Sequence, residues 1–179
     1  MPYPLLTERL RIQPLAMGNI DTFVEYRQDP NIAKFQSWDS SYSRDQAVEL
    51  IQSQLGVVTP DLGDWFQLAI HLSISNAHIG DLAIHRVANQ DGVFELGFTI
   101  ATQYQRQGYA KEAVRALIEF LRAEAGAARA IATTDSRNIS SIRLLESMNF
   151  MQDRTKSWTE EFKGEVVTVD YFEKDLSQD

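Results

Sequence analysis

The sequence predicts a mixed α/β domain with antiparallel strands first and one parallel β-α-β crossover at its centre. Three patterns support this fold class. Alternating apolar residues at 94–100 indicate a strand, apolar residues recur at helical spacing after Ala110, and a short apolar segment follows at 130–134. A strand, a helix and a strand in this order form a right-handed parallel crossover. We expect residues 1–179 to form a single domain around one core.

The boundaries of the other elements follow from apolar spacing and turn residues. Pro30 ends the first helix, because the residue before a proline disfavours helical dihedral angles. Ser43 and Gln46 form a capping box at the start of the second helix, and Gly126 ends the helix that follows Ala110. The predicted strands are 10–15, 65–74, 78–87, 94–100, 130–134, 150–156 and 166–172, and the predicted helices are 18–29, 44–55, 110–125 and 138–149.

The loop between strand 94–100 and the following helix has the features of a pyrophosphate-binding cradle. Its sequence is Gln105-Arg-Gln-Gly-Tyr-Ala110. Glycine and alanine leave room where larger side chains would obstruct, so consecutive backbone N–H groups and the positive end of a helix dipole face outward. The glycine patterns of P-loop nucleotidases and of dinucleotide-binding folds are absent from the sequence.

Composition excludes several classes of function. The net charge of −8 disfavours binding to nucleic-acid phosphates, and it either attracts a cationic substrate or only aids solubility. The absence of cysteine excludes a cysteine nucleophile and a cysteine-based zinc site. The sequence has no apolar run of roughly 20 residues and no amino-terminal secretion signal, so we expect no membrane contact and a cytoplasmic location.

Two motifs resemble those of the GCN5-related N-acetyltransferases. Residues 105–110 match the acetyl-CoA motif of that family, Gln/Arg-x-x-Gly-x-Gly/Ala, and residues 138–150 are similar to its second signature. The opening segments, Thr7-Glu-Arg-Leu10 and Pro14-Leu15, resemble the RimJ/RimL branch, which acetylates the amino termini of ribosomal proteins. The resemblance implies a sheet with splayed central strands, and acetyl transfer from acetyl-CoA to an amine without a metal.

The resemblance also implies which residues bind the cofactor. The amides of Arg106 to Ala110 would bind the pyrophosphate, Lys111 would add charge, and strand residues would offer backbone groups to the pantetheine arm. Asn138 either hydrogen-bonds the pantetheine amides, caps its helix, or does both. The predicted cofactor-binding residues are Phe98, Thr99, Ile100, Gln105, Arg106, Gln107, Gly108, Tyr109, Ala110, Lys111, Asn138 and Ser141.

Two residues are candidates for the chemistry. Glu95 lies on the central strand where the family often has a carboxylate that accepts a proton through water, and the alternative is an ordinary strand carboxylate. Ser141 would hydrogen-bond the departing thiolate, or it is only a small residue that permits close approach of CoA. Leu145 stands where the family frequently has a general-acid tyrosine. Asn149 replaces a glycine, and asparagine tolerates the left-handed conformation that ends a helix.

The family places its acceptor cleft beside two segments that the sequence predicts to be loops, 30–42 and 158–165. The predicted substrate-binding residues are Phe35, Trp38, Tyr42, Trp158 and Glu160. Glutamates 160, 161 and 165 either attract a cationic amine or are merely solvated. The expected acceptor is a peptide or protein N-terminal α-amine. The alternatives are a polyamine or aminoglycoside, or a non-catalytic acyl-CoA-binding domain, and the expected assembly is a monomer or homodimer.

The three histidines, at positions 71, 78 and 85, lie on the predicted hairpin strands. Residues 78 and 85 are an odd number of positions apart, which puts them on opposite faces of their strand. We expect structural or surface roles for these side chains, and no metal site.

Overall fold

The structure is a computed structural model that describes residues 2–177. Over that range a nine-stranded sheet carries helices on both faces. The strands are β1 (Leu5–Leu6), β2 (Leu10–Pro14), β3 (Trp65–Leu72), β4 (His78–Arg86), β5 (Val93–Ile100), β6 (Arg129–Asp135), β7 (Met151–Gln152), β8 (Trp158–Phe162) and β9 (Glu165–Asp175). The α-helices are α1 (Ile20–Arg27), α2 (Pro30–Ala33), α3 (Arg44–Ser53), α4 (Tyr109–Glu124) and α5 (Ile139–Ser147).

The strand order confirms the predicted fold class. The sheet runs β1-β2-β3-β4-β5-β6-β9-β7, with β8 paired to β9. Neighbouring strands are antiparallel except β5 and β6, which run parallel and are joined through α4. The sequence therefore located the crossover correctly.

The two central strands pair over a short length and then separate. Residues 93–95 of β5 are in register with residues 129–131 of β6. Beyond Glu95 and Ile131 both strands continue, β5 to Ile100 and β6 to Asp135, without pairing to each other. The separation leaves a V-shaped opening whose edges carry backbone groups that the sheet does not pair.

Successive side chains of a strand point to opposite faces of the sheet, so the core consists of one apolar cluster on each face. Leu68 and Ile70 of β3 belong to a cluster with Val114, Leu117 and Leu121 of α4. The opposite face of β3 presents Ala69 to α1 and α3, where the second cluster is built. That cluster consists of Leu15, Ile20, Phe23, Tyr26, Ile32, Tyr42, Ala47, Ile51, Ala69 and Ala101.

Both predicted loops contain regular structure, so that part of the prediction is wrong. The prediction for 30–42 missed α2, where Pro30 occupies the first helical turn and the Asp29 carboxylate accepts a hydrogen bond from the Asn31 amide. The prediction for 158–165 missed β8, which pairs with β9 across a two-residue turn. Lys163 and Gly164 form that turn with φ values of 53° and 79°, as tight hairpins require.

The predicted strand 150–156 is too long, and the two-residue strand β1 was not predicted. Only Met151 and Gln152 form a strand, because the Asp153 carboxylate accepts hydrogen bonds from Thr155 and turns the chain. The predicted end of the preceding helix is confirmed, since Asn149 has the left-handed φ of 62°.

Two histidine rings, the buried His71 and the half-buried His78, stack between β3 and β4. The ring centroids of His71 and His78 are 5.1 Å apart, and Asn19 Nδ2 lies 2.9 Å from His71 Nε2. Burial lowers the pKa of each ring to about 4, and for His71 the neighbouring His78 lowers it further. Both rings are therefore neutral at pH 7.

We predict that this pair makes the protein less stable as the pH falls from 7 to 5. A histidine in the unfolded chain titrates near 6.5, so between that pH and about 4 the unfolded state binds more protons than the folded state. The loss is roughly 2 kcal/mol per histidine at pH 5, since each pH unit below 6.5 costs about 1.4 kcal/mol. Thermal unfolding at pH 7, 6 and 5 should show a steeper decline for the wild type than for the His71→Asn/His78→Gln variant. Parallel profiles would contradict the prediction.

Candidate active site

The V-shaped opening between β5 and β6 is bordered by the loop before α4 and by the start of α5. In the loop, Arg106 and Gly108 have left-handed φ values of 60° and 83°, whereas Gln107 between them does not. This alternation turns successive N–H groups to one side and forms a concave anion-binding arrangement. Gly108 directly precedes α4, at a backbone conformation that other residues rarely adopt.

The first turn of α4 leaves donors available for an anion. No side chain caps the helix, and the amides of Tyr109, Ala110 and Lys111 donate no hydrogen bond to an acceptor in residues 2–177. The ammonium of Lys111 donates instead to the Ser147 carbonyl oxygen at 3.0 Å, which joins the start of α4 to the end of α5. The backbone geometry thus fits a pyrophosphate group, as the sequence predicts.

Asn138 and Ser141 lie at the start of α5. The Asn138 Oδ1 atom accepts a hydrogen bond from the Ser141 amide at 3.3 Å, so Asn138 does cap its helix. Within residues 2–177 neither the Asn138 Nδ2 atom nor the Ser141 hydroxyl has a hydrogen-bond partner, so both are available to a ligand. Leu145, one turn further on, is buried in the core.

Glu95 lies where β5 and β6 stop pairing, and both of its carboxylate oxygens have partners. Oε1 accepts a hydrogen bond from the Thr133 hydroxyl at 2.9 Å, and Oε2 is 3.2 Å from His85 Nδ1. The Glu95 and His85 side chains are each 20% exposed, and the Trp65 ring stacks on His85 with centroids 4.8 Å apart. This carboxylate is therefore oriented by its neighbours and still reached by solvent.

Sequence reasoning missed His85 and Thr133. His85 is directly opposite Glu95 in the β4–β5 register, and the turn at 89–92 between the two predicted strands would have indicated this pairing. Thr133 reaches Glu95 from across the V, and its position depends on the parallel register after α4, which no local pattern reveals.

The predicted aromatic substrate residues of the first segment lie against the core. Tyr42 is buried, and Trp38 is half-buried with its indole N–H donating to the Arg27 carbonyl oxygen at 3.2 Å. The Arg27 guanidinium lies 3.6 Å from the centroid of the Trp38 ring and 4.9 Å from that of Tyr42. Phe35 is half-buried beside the Lys34 ammonium.

The second predicted segment forms an exposed hairpin. On β8 the Trp158 indole N–H donates to Glu160 Oε2 at 2.9 Å. Glu165 pairs with Arg137 at 2.6 Å, and Arg137 also forms a two-pronged pair with Asp135 beside Asn138. Of the glutamates in this segment, Glu165 is therefore already neutralised by Arg137.

Lys163 connects the two segments, and sequence reasoning did not identify it. Its ammonium donates to the carbonyl oxygens of Ala33 at 2.7 Å and of Trp38 at 2.5 Å, and it lies 3.1 Å from the Asp39 carboxylate. The tip of the β8–β9 hairpin is thereby fixed to the chain that follows α2.

Residues 2–177 lack both a metal-binding cluster and a membrane-spanning helix. They contain no cluster of three or more histidine, aspartate or glutamate side chains arranged to hold a metal ion. None of the helices in this range has the length and apolar character needed to cross a membrane.

A mixed sheet whose central strands separate beside an uncapped, glycine-preceded helix is the architecture of acyl-CoA N-acyltransferases. Comparison with known families agrees, because the acetyltransferase (GNAT) domain matches residues 9–151. The chain belongs to the GNAT family and is an N-acetyltransferase.

Individual relatives are distant in sequence but similar over nearly their whole length. The uncharacterized N-acetyltransferase p20 of Bacillus licheniformis is 26% identical, over 94% of this chain and 93% of the relative. Spermidine N-acetyltransferase from Vibrio cholerae, solved with CoA and spermine, has a TM-score of 0.82 at 16% identity, over 96% and 98% of the two chains. RimL, a ribosomal L7/L12 alpha-N-protein acetyltransferase solved with CoA, has a TM-score of 0.80 at 13% identity, over 97% of each chain.

We predict that replacing Gly108 by alanine weakens CoA binding by about fivefold, because a side chain disfavours the left-handed φ and disturbs the cradle by roughly 1 kcal/mol. Gly126→Ala is the matched control, since Gly126 has a φ of 65° at the other end of α4 and no atom near its added methyl group. Both variants should lose similar thermal stability, and calorimetry should show weaker CoA binding only for Gly108→Ala. Equal affinities would contradict the role of Gly108.

Proposed function

We propose that this enzyme transfers an acetyl group directly from acetyl-CoA to a primary amine within a ternary complex. The observation that carries the proposal is the position of Glu95, a solvent-reached carboxylate held by two neighbours where the central strands separate. On one side of it, the uncapped start of α4 offers amides for the pyrophosphate. A covalent acetyl-cysteine is impossible, because the sequence has no cysteine.

The residues of the opening meet the chemical demands of this transfer. As the amine nitrogen bonds to the thioester carbon and the carbon–sulfur bond breaks, the nitrogen loses a proton and the thiolate gains one. Glu95 accepts the first proton through a water molecule, while His85 and Thr133 keep its oxygens directed. The Ser141 hydroxyl, which has no partner in residues 2–177, donates a hydrogen bond to the thiolate, and the thiolate takes its proton from solvent.

The acceptor that we favour is a peptide or protein N-terminal α-amine. The Thr7–Leu10 opening resembles the RimJ/RimL branch, and RimL, which acts on a ribosomal protein α-amine, shares the fold. The second candidate is a polyamine, because the similar Vibrio cholerae enzyme acetylates spermidine and Glu160 and Glu161 lie exposed on β8. We further propose a cytoplasmic location and a monomeric or homodimeric state.

We predict that thiol release from acetyl-CoA is fastest with short peptides that have a free amino terminus. The panel is one peptide with a free and with a formylated amino terminus, together with spermidine and an aminoglycoside. The formylated peptide is the matched control, since it differs only at the reacting nitrogen. Faster turnover of spermidine would replace the favoured acceptor by the second candidate. Absence of CoA binding in calorimetry would end the whole proposal.

We predict that Glu95→Gln lowers kcat by about 100-fold or more, the usual contribution of a general base, and changes CoA affinity less than about twofold. The substitution keeps the size of the side chain and its acceptor for Thr133. Glu124→Gln at the exposed last position of α4 is the control and should retain kcat. A Glu95→Gln enzyme with wild-type kcat would remove Glu95 from the mechanism.

A further inference from the structure

A single side chain from the start of the chain contacts the cradle and the first turn of α4. The Arg9 guanidinium donates through Nη1 to the Gln107 carbonyl oxygen at 3.0 Å and through Nε to Glu112 Oε2 at 2.7 Å. Its Nη2 lies 2.6 Å from the same oxygen, and its central carbon lies 4.5 Å from the centroid of the Tyr109 ring. Arg9 therefore contacts Gln107 and Tyr109, on either side of Gly108, and also Glu112 in the first turn of α4.

The other oxygen of Glu112 completes this network. Oε1 accepts hydrogen bonds from the Thr7 hydroxyl at 2.5 Å and from the Arg9 amide at 2.9 Å. Partial burial opposes ionisation, but the hydrogen bonds from Thr7 and Arg9 outweigh it and hold the pKa of Glu112 below its usual value. The ionised Glu112 carboxylate on α4 is thus bonded to Arg9, which precedes it by 103 positions in the sequence.

The contact to Gln107 sets the direction of a cradle amide. The carbonyl of Gln107 and the amide of Gly108 belong to one planar peptide group, in which C=O and N–H point in opposite directions. Because Arg9 holds the carbonyl oxygen, the Gly108 N–H must point away from Arg9. Residues 105–108 of the loop are exposed, so this hydrogen bond helps to order the segment before a ligand binds.

The contact to Glu112 removes an electrostatic conflict. Glu112 lies in the first turn of α4, where the same uncapped amides would bind an anionic pyrophosphate. An unpaired carboxylate there would repel the phosphates, and Arg9 neutralises it through two of its nitrogens. Arg9 thus contacts Glu112 through Nε and Nη2, and its third nitrogen, Nη1, bonds to the backbone of the cradle.

We propose that Arg9 is a positioning residue that holds the cradle in its pyrophosphate-binding conformation and masks the charge of Glu112. This inference rests on the proposed use of acetyl-CoA. Arg9, the arginine of the Thr7–Leu10 opening, acts through the loop on the pyrophosphate portion of the cofactor. It takes no part in the acetyl transfer itself.

The test compares two acetyl donors, acetyl-CoA and S-acetylpantetheine, of which the second lacks the pyrophosphate together with the adenosine 3′-phosphate attached to it. For Arg9→Gln, kcat/KM for acetyl-CoA should fall about tenfold, the loss expected for one charge-assisted hydrogen-bond network, while kcat/KM for S-acetylpantetheine should change less than about twofold. Arg9→Lys should also lose affinity for acetyl-CoA, because one ammonium cannot replace the guanidinium fork. Arg11→Gln is the matched control, since Arg11 lies two residues further along and bonds to Gln13 away from the cradle.

The outcomes separate the inference from the function on which it rests. Equal losses for the two donors would show general structural damage and overturn the inference, as would unchanged kinetics with acetyl-CoA in both Arg9 variants. If Arg9→Gln fails to fold, Arg9→Lys and Glu112→Gln carry the comparison, because both retain a hydrogen-bonding side chain at the changed position. Failure of the wild-type enzyme to bind CoA would overturn the proposed function and this inference together.

Discussion

The architecture of the site depends on the limited pairing between β5 and β6. Each strand has a full-length partner on its outer side, since β4 follows β5 as far as Ile100 and β9 follows β6 as far as Asp135. The inner seam can therefore open without unfolding either half of the sheet. The approach of β4 and β5 at the open end is very close, because a methyl group on Gly80 would lie 2.1 Å from the Thr99 carbonyl oxygen. The backbone atoms exposed inside the V are left for a ligand to satisfy.

The cofactor side of the site was predictable because its signals are local. A strand, a glycine-containing loop and an amphipathic helix follow one another directly, so the cradle at 105–110 could be located from sequence spacing alone. The residues that support it could not be found in this way. Arg9 meets Glu112 only because β2 lies in the sheet near α4, and Thr133 meets Glu95 only because α4 returns the chain in parallel register.

The acceptor side was predicted less well, for a physical reason. Hydrophobic alternation reveals strands that bury one face, but all residues of β8 except Phe162 are exposed, and the pairing with β9 supplies the order. The helix α2 has only four residues and begins at Pro30, the residue from which the end of the preceding helix was predicted. The sequence therefore indicated where one helix stops but not that a short helix starts at the same proline. Tyr42 was identified as aromatic, but its burial results from packing in the second core cluster, which brings together residues distant in sequence.

These differences divide the site into two parts with different tolerance for change. The cradle that we propose to bind the cofactor offers mainly backbone amides, whose directions follow from the φ angles at Arg106 and Gly108 and from the hydrogen bond of Arg9 to Gln107. The segments that we propose to contact the acceptor are α2, the residues that follow it, and the β8–β9 hairpin, and they are joined at Lys163. Because Lys163 bonds mainly to backbone carbonyls, the neighbouring side chains can vary while the β8–β9 hairpin stays connected to α2 and the residues after it. Acceptor specificity can then change within this part without disturbing the cradle, which is consistent with one fold serving different amines.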